Sequence, residues 1–117
     1  AGNFKYSANE VAIGMTMPWS TIEILRQRLT PAALSRAVLL AETFTPTNGV
    51  ETGLVDRVVA TEAELLPVAI EFAKLSASLN ATAHSASKQR LRSEVVSAIR
   101  DGLAKDYEGW KRLFLAS

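Results

Sequence analysis

Asn9-Glu10-Val11-Ala12-Ile13-Gly14-Met15-Thr16-Met17-Pro18 is the stretch on which the reading of this 117-residue chain turns. It follows neither a helical nor a strand period, yet it is too apolar for a loop that faces only water. Upstream, Phe4-Lys5-Tyr6-Ser7 alternates apolar and polar and predicts a short strand. Downstream, a first helix is expected from Pro18 or Ser20 to about Leu29, with Ile22, Leu25 and Leu29 on one face. Thr30-Pro31 supplies an N-cap and a proline at the first helical position, where a missing N–H costs nothing. The helix it opens places Leu34, Ala37, Val38 and Ala41 on one stripe.

Further outward, Thr45-Pro46 opens a short helical turn that Gly53 ends. Leu54-Val55-Asp56-Arg57-Val58-Val59 is rich in β-branched residues and predicts a second strand. Thr61 with Glu64 forms a capping box for a helix to about Leu79, with Pro67 a warning about its first turns. Asn80 caps a helix over 81–91 and Ser93 caps the last one. In that last helix Val95, Ile99, Leu103, Tyr107, Trp110 and Phe114 recur every three or four residues as a single apolar stripe. The fold class is therefore mostly α with two short strands. Two isolated strands cannot bury both their faces, and amphipathic helices need something to lie on. The expectation is a piece of a larger fold, or a subunit whose core is completed elsewhere.

Composition narrows the chemistry. The chain is 48% hydrophobic and 21% charged, too apolar for a disordered tail. It has no cysteine, which excludes a disulfide framework, cysteine-ligated zinc and a thiol nucleophile. No apolar run approaches the ~20 residues of a bilayer span, and the first residues lack the pattern of a signal peptide. A cytoplasmic protein with no membrane partner is expected. Net charge is +1. Residues 88–112 hold seven basic and four acidic side chains, and the remainder six basic and eight acidic. That asymmetry reads best as a solvated helix face, and Lys88, Arg90 and Arg92 are too few and too poor in interleaved aromatics for nucleic acid.

Glu10 is the sharpest chemical feature. A carboxylate entering an apolar segment has the setting in which burial tunes an acid or base, although on local sequence alone the solvated glutamate at a strand end is the favoured reading. Trp19 precedes a helix start, where N–H groups stand ready for a water or an anion, or else it fills the gap between loop and helix. His84 has no acidic or cysteine neighbour at ligand spacing, so no metal site is expected. Ser85 and Ser87 lack any nucleophile-elbow pattern.

The run from Asn9 to Pro18 resembles the segment of the enoyl-CoA hydratase/isomerase (crotonase) family that carries a catalytic glutamate. The resemblance continues in register through Leu29-Thr30-Pro31-Ala32-Ala33 to Ala41-Glu42-Thr43-Phe44, similar to the family's helix pair. It runs on through Gly53-Leu54-Val55-Asp56-Arg57-Val58-Val59 and the late helix with Ser87-Lys88. It covers nearly the whole chain but only the C-terminal portion of a full-length member. The resemblance implies residues 1–60 as the end of a core of ββα repeats and residues 61–117 as the helical region that mediates trimers, or dimers of trimers.

The implied activity is the addition of water across the 2,3 double bond of an enoyl-CoA thioester, a lyase reaction of fatty acid metabolism. Glu10 takes the place of the second glutamate, which exchanges a proton with the α-carbon. Many family isomerases lack it, so Glu10 points to a hydratase. Pro18 and the Trp19 N–H take the place that helps hold the catalytic water, and Trp19-Ser20, where members usually have Gly or Ala, narrows the acyl pocket. Trp110-Lys111-Arg112-Leu113-Phe114 resembles the terminal stretch that meets CoA, so Lys111 and Phe114 are carried over as substrate contacts. Coenzyme A enters as part of the substrate, and no separate cofactor is implied. The first glutamate and the oxyanion loop lie in the N-terminal portion, so this chain alone is expected to be inactive without that portion as a partner. The alternative is a non-catalytic helical oligomerisation module using the Val95–Phe114 stripe.

Overall fold

The computed structural model describes residues 3–116. A 3₁₀ turn, Val11–Ile13, leads into five helices: α1 (Trp19–Arg28), α2 (Pro31–Leu40), α3 (Pro46–Thr52), α4 (Glu62–Ala77) and α5 (Ala81–Leu115). The caps follow local chemistry. Thr30 Oγ1 accepts the Ala33 N–H at 3.3 Å, with Pro31 just inside α2. The Asn48 side chain accepts the Thr45 N–H at 2.8 Å at the start of α3. Glu64 Oε2 takes the Thr61 N–H at 3.0 Å before α4, and Asn80 Oδ1 the Ala83 N–H at 2.9 Å before α5. Gly53 ends α3 at φ +84°, and a Cβ there would collide with the Arg28 carbonyl oxygen.

Three expectations are corrected. The strand at residues 4–7 shrinks to one antiparallel bridge, with Tyr6 N–H donating to Phe44 O at 2.9 Å and Phe44 N–H to Tyr6 O at 2.7 Å. Residues 54–59 form no strand: their β-branched side chains favour extension, but no neighbouring strand offers a ladder among the described residues. The last two helices are one. Ser93 caps nothing and donates its hydroxyl to Arg90 O at 3.0 Å, the usual arrangement for a serine inside a helix, and neither Gly nor Pro interrupts the turn.

The core is small. Leu29, Ala33, Ala37 and Phe44 are buried together, with Leu25, Leu34 and Leu54 packed against them. Around this centre α1 contacts α2 and α5, and the 3₁₀ turn contacts α2. By contrast α4 buries no residue, and the first half of α5 is exposed. The molecule measures 52 × 38 × 25 Å, and the long dimension matches the ~52 Å expected of a 35-residue helix at ~1.5 Å per residue. Its radius of gyration, 17.5 Å, exceeds the ~13 Å of a closed domain of this length.

Candidate functional site

Glu10 stands at the head of the 3₁₀ turn. Its carbonyl accepts from Ile13 N–H at 3.1 Å and from Met15 N–H at 2.8 Å, and Gly14 at φ +78° lets the chain leave the turn. The side chain is half-buried. Its Oε2 is sealed from solvent and has no hydrogen-bond partner. Buried carboxylate oxygens are almost always satisfied, so an acceptor left open is the feature that most calls for a functional account. Such an oxygen can take a proton or a hydrogen bond that the chain itself does not provide.

Beyond Met17, which is buried, Pro18 leaves α1 without a side-chain cap. The cap comes from the other end of the sequence. Asp106 of α5 accepts Trp19 N–H at 2.8 Å on Oδ1, and Ser20 N–H at 2.9 Å and Ser20 Oγ–H at 2.6 Å on Oδ2. Asp106 is buried. Burial pushes its carboxyl toward the neutral form, but the three donors together outweigh this and hold it below the ordinary aspartate range. One turn earlier, Gly102 makes the approach possible: a Cβ there would lie 2.8 Å from Ser20 N and 3.0 Å from Ser20 Cα. The Trp19 ring is exposed, with Lys105 Nζ 4.5 Å from its centroid.

These contacts correct the expected use of Trp19: its N–H is committed to Asp106 and is not available to hold a water. They also re-aim the last helix. The face turned inward is Val95, Ile99, Gly102 and Asp106, whereas Leu103, Tyr107, Trp110 and Phe114 of the expected stripe are exposed. Gly102 and Asp106 lie outside the apolar stripe that the sequence predicts for this helix. The signal was their spacing, since 95, 99, 102 and 106 follow the same three- and four-residue steps as a buried stripe.

Glu10, Pro18 and Trp19 thus share one segment that α5 grips at Gly102 and Asp106. Lys111 and Phe114 lie ~7.5 and ~12 Å farther along α5 than Asp106, on its exposed last turns, with Lys111 Nζ 5.9 Å from the Tyr107 ring centroid. His84, Ser85 and Ser87 are exposed near the start of α5. No three His, Asp or Glu side chains converge as metal ligands among the described residues, and no described helix is long and apolar enough to cross a membrane. A groove of about 650 Å³ lies elsewhere, between Phe4 and Tyr6 on one side and Val55, Val58, Val59 and Leu65 on the other, where the unpaired extended segment leaves apolar side chains bare.

Residues 1–116 match the family model described as Enoyl-CoA hydratase/isomerase. Among solved structures, an enoyl-CoA hydratase from Mycobacterium ulcerans is 39% identical, with a TM-score of 0.86 over 94% of this chain and 48% of its own. One from Mycobacterium marinum is 41% identical, with a TM-score of 0.84 over 92% of this chain and 48% of its own. An enoyl-CoA isomerase from Mycobacterium tuberculosis is 38% identical, with a TM-score of 0.85 over 92% and 47%. The chain spans about half the length of these proteins, matching the C-terminal helical part of the crotonase fold. A search of the curated proteins finds no match.

Proposed function

The chain belongs to the enoyl-CoA hydratase/isomerase family, and from that premise we propose that it supplies the proton-exchanging carboxylate of a 2-enoyl-CoA hydratase, with Glu10 in that role. The observation that carries this reading is the sealed, unpartnered Oε2 of Glu10 in an otherwise well-paired loop. In syn hydration the oxygen of water bonds to the β-carbon as one of its O–H bonds breaks and that proton passes to a carboxylate, while a carboxyl O–H gives its proton to the α-carbon. As the electron pair of the double bond shifts toward the thioester, charge builds on its oxygen until the α-carbon is protonated. A carboxyl oxygen out of bulk water, with its acceptor capacity unspent, suits the α-carbon exchange.

Neighbouring residues take narrower parts in the proposal. Pro18 and the Trp19 ring form one wall of the acyl site, and the bulk of Trp19 favours short acyl chains. Lys111 and Phe114 offer an ammonium and an aromatic face to the phosphates and adenine of CoA. The oxyanion donors come from the portion of the fold that this chain does not span, so catalysis requires that portion as a partner. The exposed Leu103, Tyr107 and Trp110 face meets that partner or further copies in a homo-oligomer.

The test is a chimera joining this chain to the N-terminal half of the Mycobacterium marinum hydratase. Loss of enoyl-thioester absorbance on incubation with crotonyl-CoA reports hydration. Glu10→Gln is expected to lower kcat at least ~10²-fold, and a mutant as fast as its parent refutes the assignment. A 3-enoyl-CoA, offered in parallel, separates hydration from the double-bond shift of an isomerase.

A further inference from the structure

Asp106 satisfies three donors at the head of α1 from a helix 86 residues away in sequence. A helix start at the surface needs no such partner, because water satisfies the leading N–H groups, and a serine or aspartate at the preceding position would serve locally. Here that position is Pro18, which carries neither a cap nor an N–H. The polar partners of the first N–H groups of α1 therefore come from α5. Met17 just before it is buried, and at the other end of the same segment the Glu10 turn is fixed by its own hydrogen bonds and by contact with α2. Glu10 thus rides on a ten-residue stretch with two anchors, one of them the Asp106 carboxylate.

We propose that Asp106 is a positioning residue for the Glu10 site, acting through the Ser20 and Trp19 N–H groups and the Ser20 hydroxyl. The inference rests on the reading of Glu10 as the proton-exchanging carboxylate. It adds that the seating of α5, and not only the loop itself, sets where that carboxylate stands. Gly102 serves the same end by letting the two backbones come close enough for the carboxylate to reach. Lys105 completes the grip by covering the Trp19 ring.

Two variants test this in the hydratase chimera, with amide hydrogen exchange as the structural readout. Asp106→Asn turns an NH₂ toward donors that need an acceptor, and exchange at Trp19 and Ser20 should rise ~10-fold or more while Leu34 and Ala37 of α2 stay protected. Misplacement of a reacting group acts on the chemical step, so kcat should fall ~10-fold or more with KM within about twofold. Ser20→Ala removes only the hydroxyl bond, keeps both N–H bonds, and should give an intermediate kcat. The order parent, Ser20→Ala, Asp106→Asn in kcat at constant KM supports the proposal. Equal kcat in all three, or loss of protection in α2 together with a fall in both constants, overturns it. A Glu10→Gln enzyme as active as the parent overturns the reading of Glu10 itself, whereas a parent-like Asp106→Asn enzyme where Glu10→Gln is inactive overturns only the role given to Asp106.

Discussion

Replacing Gly102 by alanine should destabilise the chain although alanine is the better helix former. The three atoms that the new methyl group would meet first all belong to backbone: Ser20 N at 2.8 Å, Ser20 Cα at 3.0 Å and the Trp19 carbonyl carbon at 3.1 Å. None can rotate away. To restore ordinary contact near 3.4 Å, α5 must retreat from α1 by about 0.6 Å, which stretches the Asp106 bonds to Trp19 and Ser20 from 2.8 and 2.9 Å. Overpacking of this kind costs ~1–3 kcal/mol, against ~1 kcal/mol gained from helix propensity, so a net loss of up to ~2 kcal/mol is expected. Gly109, on the same helix with nothing within 4 Å of a built Cβ, is the internal control. Its alanine variant should gain up to ~1 kcal/mol. Urea unfolding followed by Trp19 fluorescence, in a Trp110→Phe background, measures both. If the two alanine variants shift stability in the same direction, the close crossing of α1 and α5 is not what limits position 102.

The α1–α5 junction should also resist acid. Because the folded Asp106 lies below its ordinary value near 3.8, its contribution is fully present above that pH and is lost only as pH falls through the lower, folded value; acid unfolding of the parent and Asp106→Asn chains, followed at Trp19, should converge in that range. A gap between them that persists well below it would exclude ionised Asp106 as the source. The exposed stripe predicts association: Leu103→Glu with Trp110→Glu should lower the sedimentation coefficient of any oligomer while leaving helix content intact. An unchanged oligomer would show that the contact lies on another face.

How far the sequence discloses this molecule depends on whether a signal is local. The Thr-Pro starts, the Thr61–Glu64 box and the Asn80 cap are satisfied within four residues, and each appears where the chain spells it. So does the turn that holds Glu10, since Gly14 is the residue that a left-handed exit demands. The strand at 54–59 fails for the converse reason: β-branching states a preference, and a ladder needs a partner that lies outside the chain's own described residues. Asp106 is the instructive miss. Counted by charge, it is one of four acids on a mixed-sign helix. Counted by helical position, it falls in line with Val95, Ile99 and Gly102, and an acid on an inward face requires donors. The uncapped Pro18 start of α1 leaves donors in want, so the pairing emerges from joining two observations far apart in the sequence.

Surface area carries the last step. A closed monomer of 12.6 kDa exposes ~6,200 Å², whereas this chain exposes 8990 Å². The surplus of ~2,800 Å² falls in the range of obligate interfaces rather than of transient ones. Exposed apolar side chains lie on α4, among them Leu65 and Leu66, and along the outer stripe of α5. The Asp106 cap is a long-range polar junction that joins α5 to the part of the chain that bears Glu10. The first half of α5 is exposed, so its hold on the rest of the chain lies farther along, where Gly102 and Asp106 meet α1. If the proposed function holds, a partner that covers this outer stripe bears on the Glu10 segment through the α1–α5 junction at Gly102 and Asp106. On that proposal, the seating of α5 and the alignment of the Glu10 carboxylate are coupled through this junction.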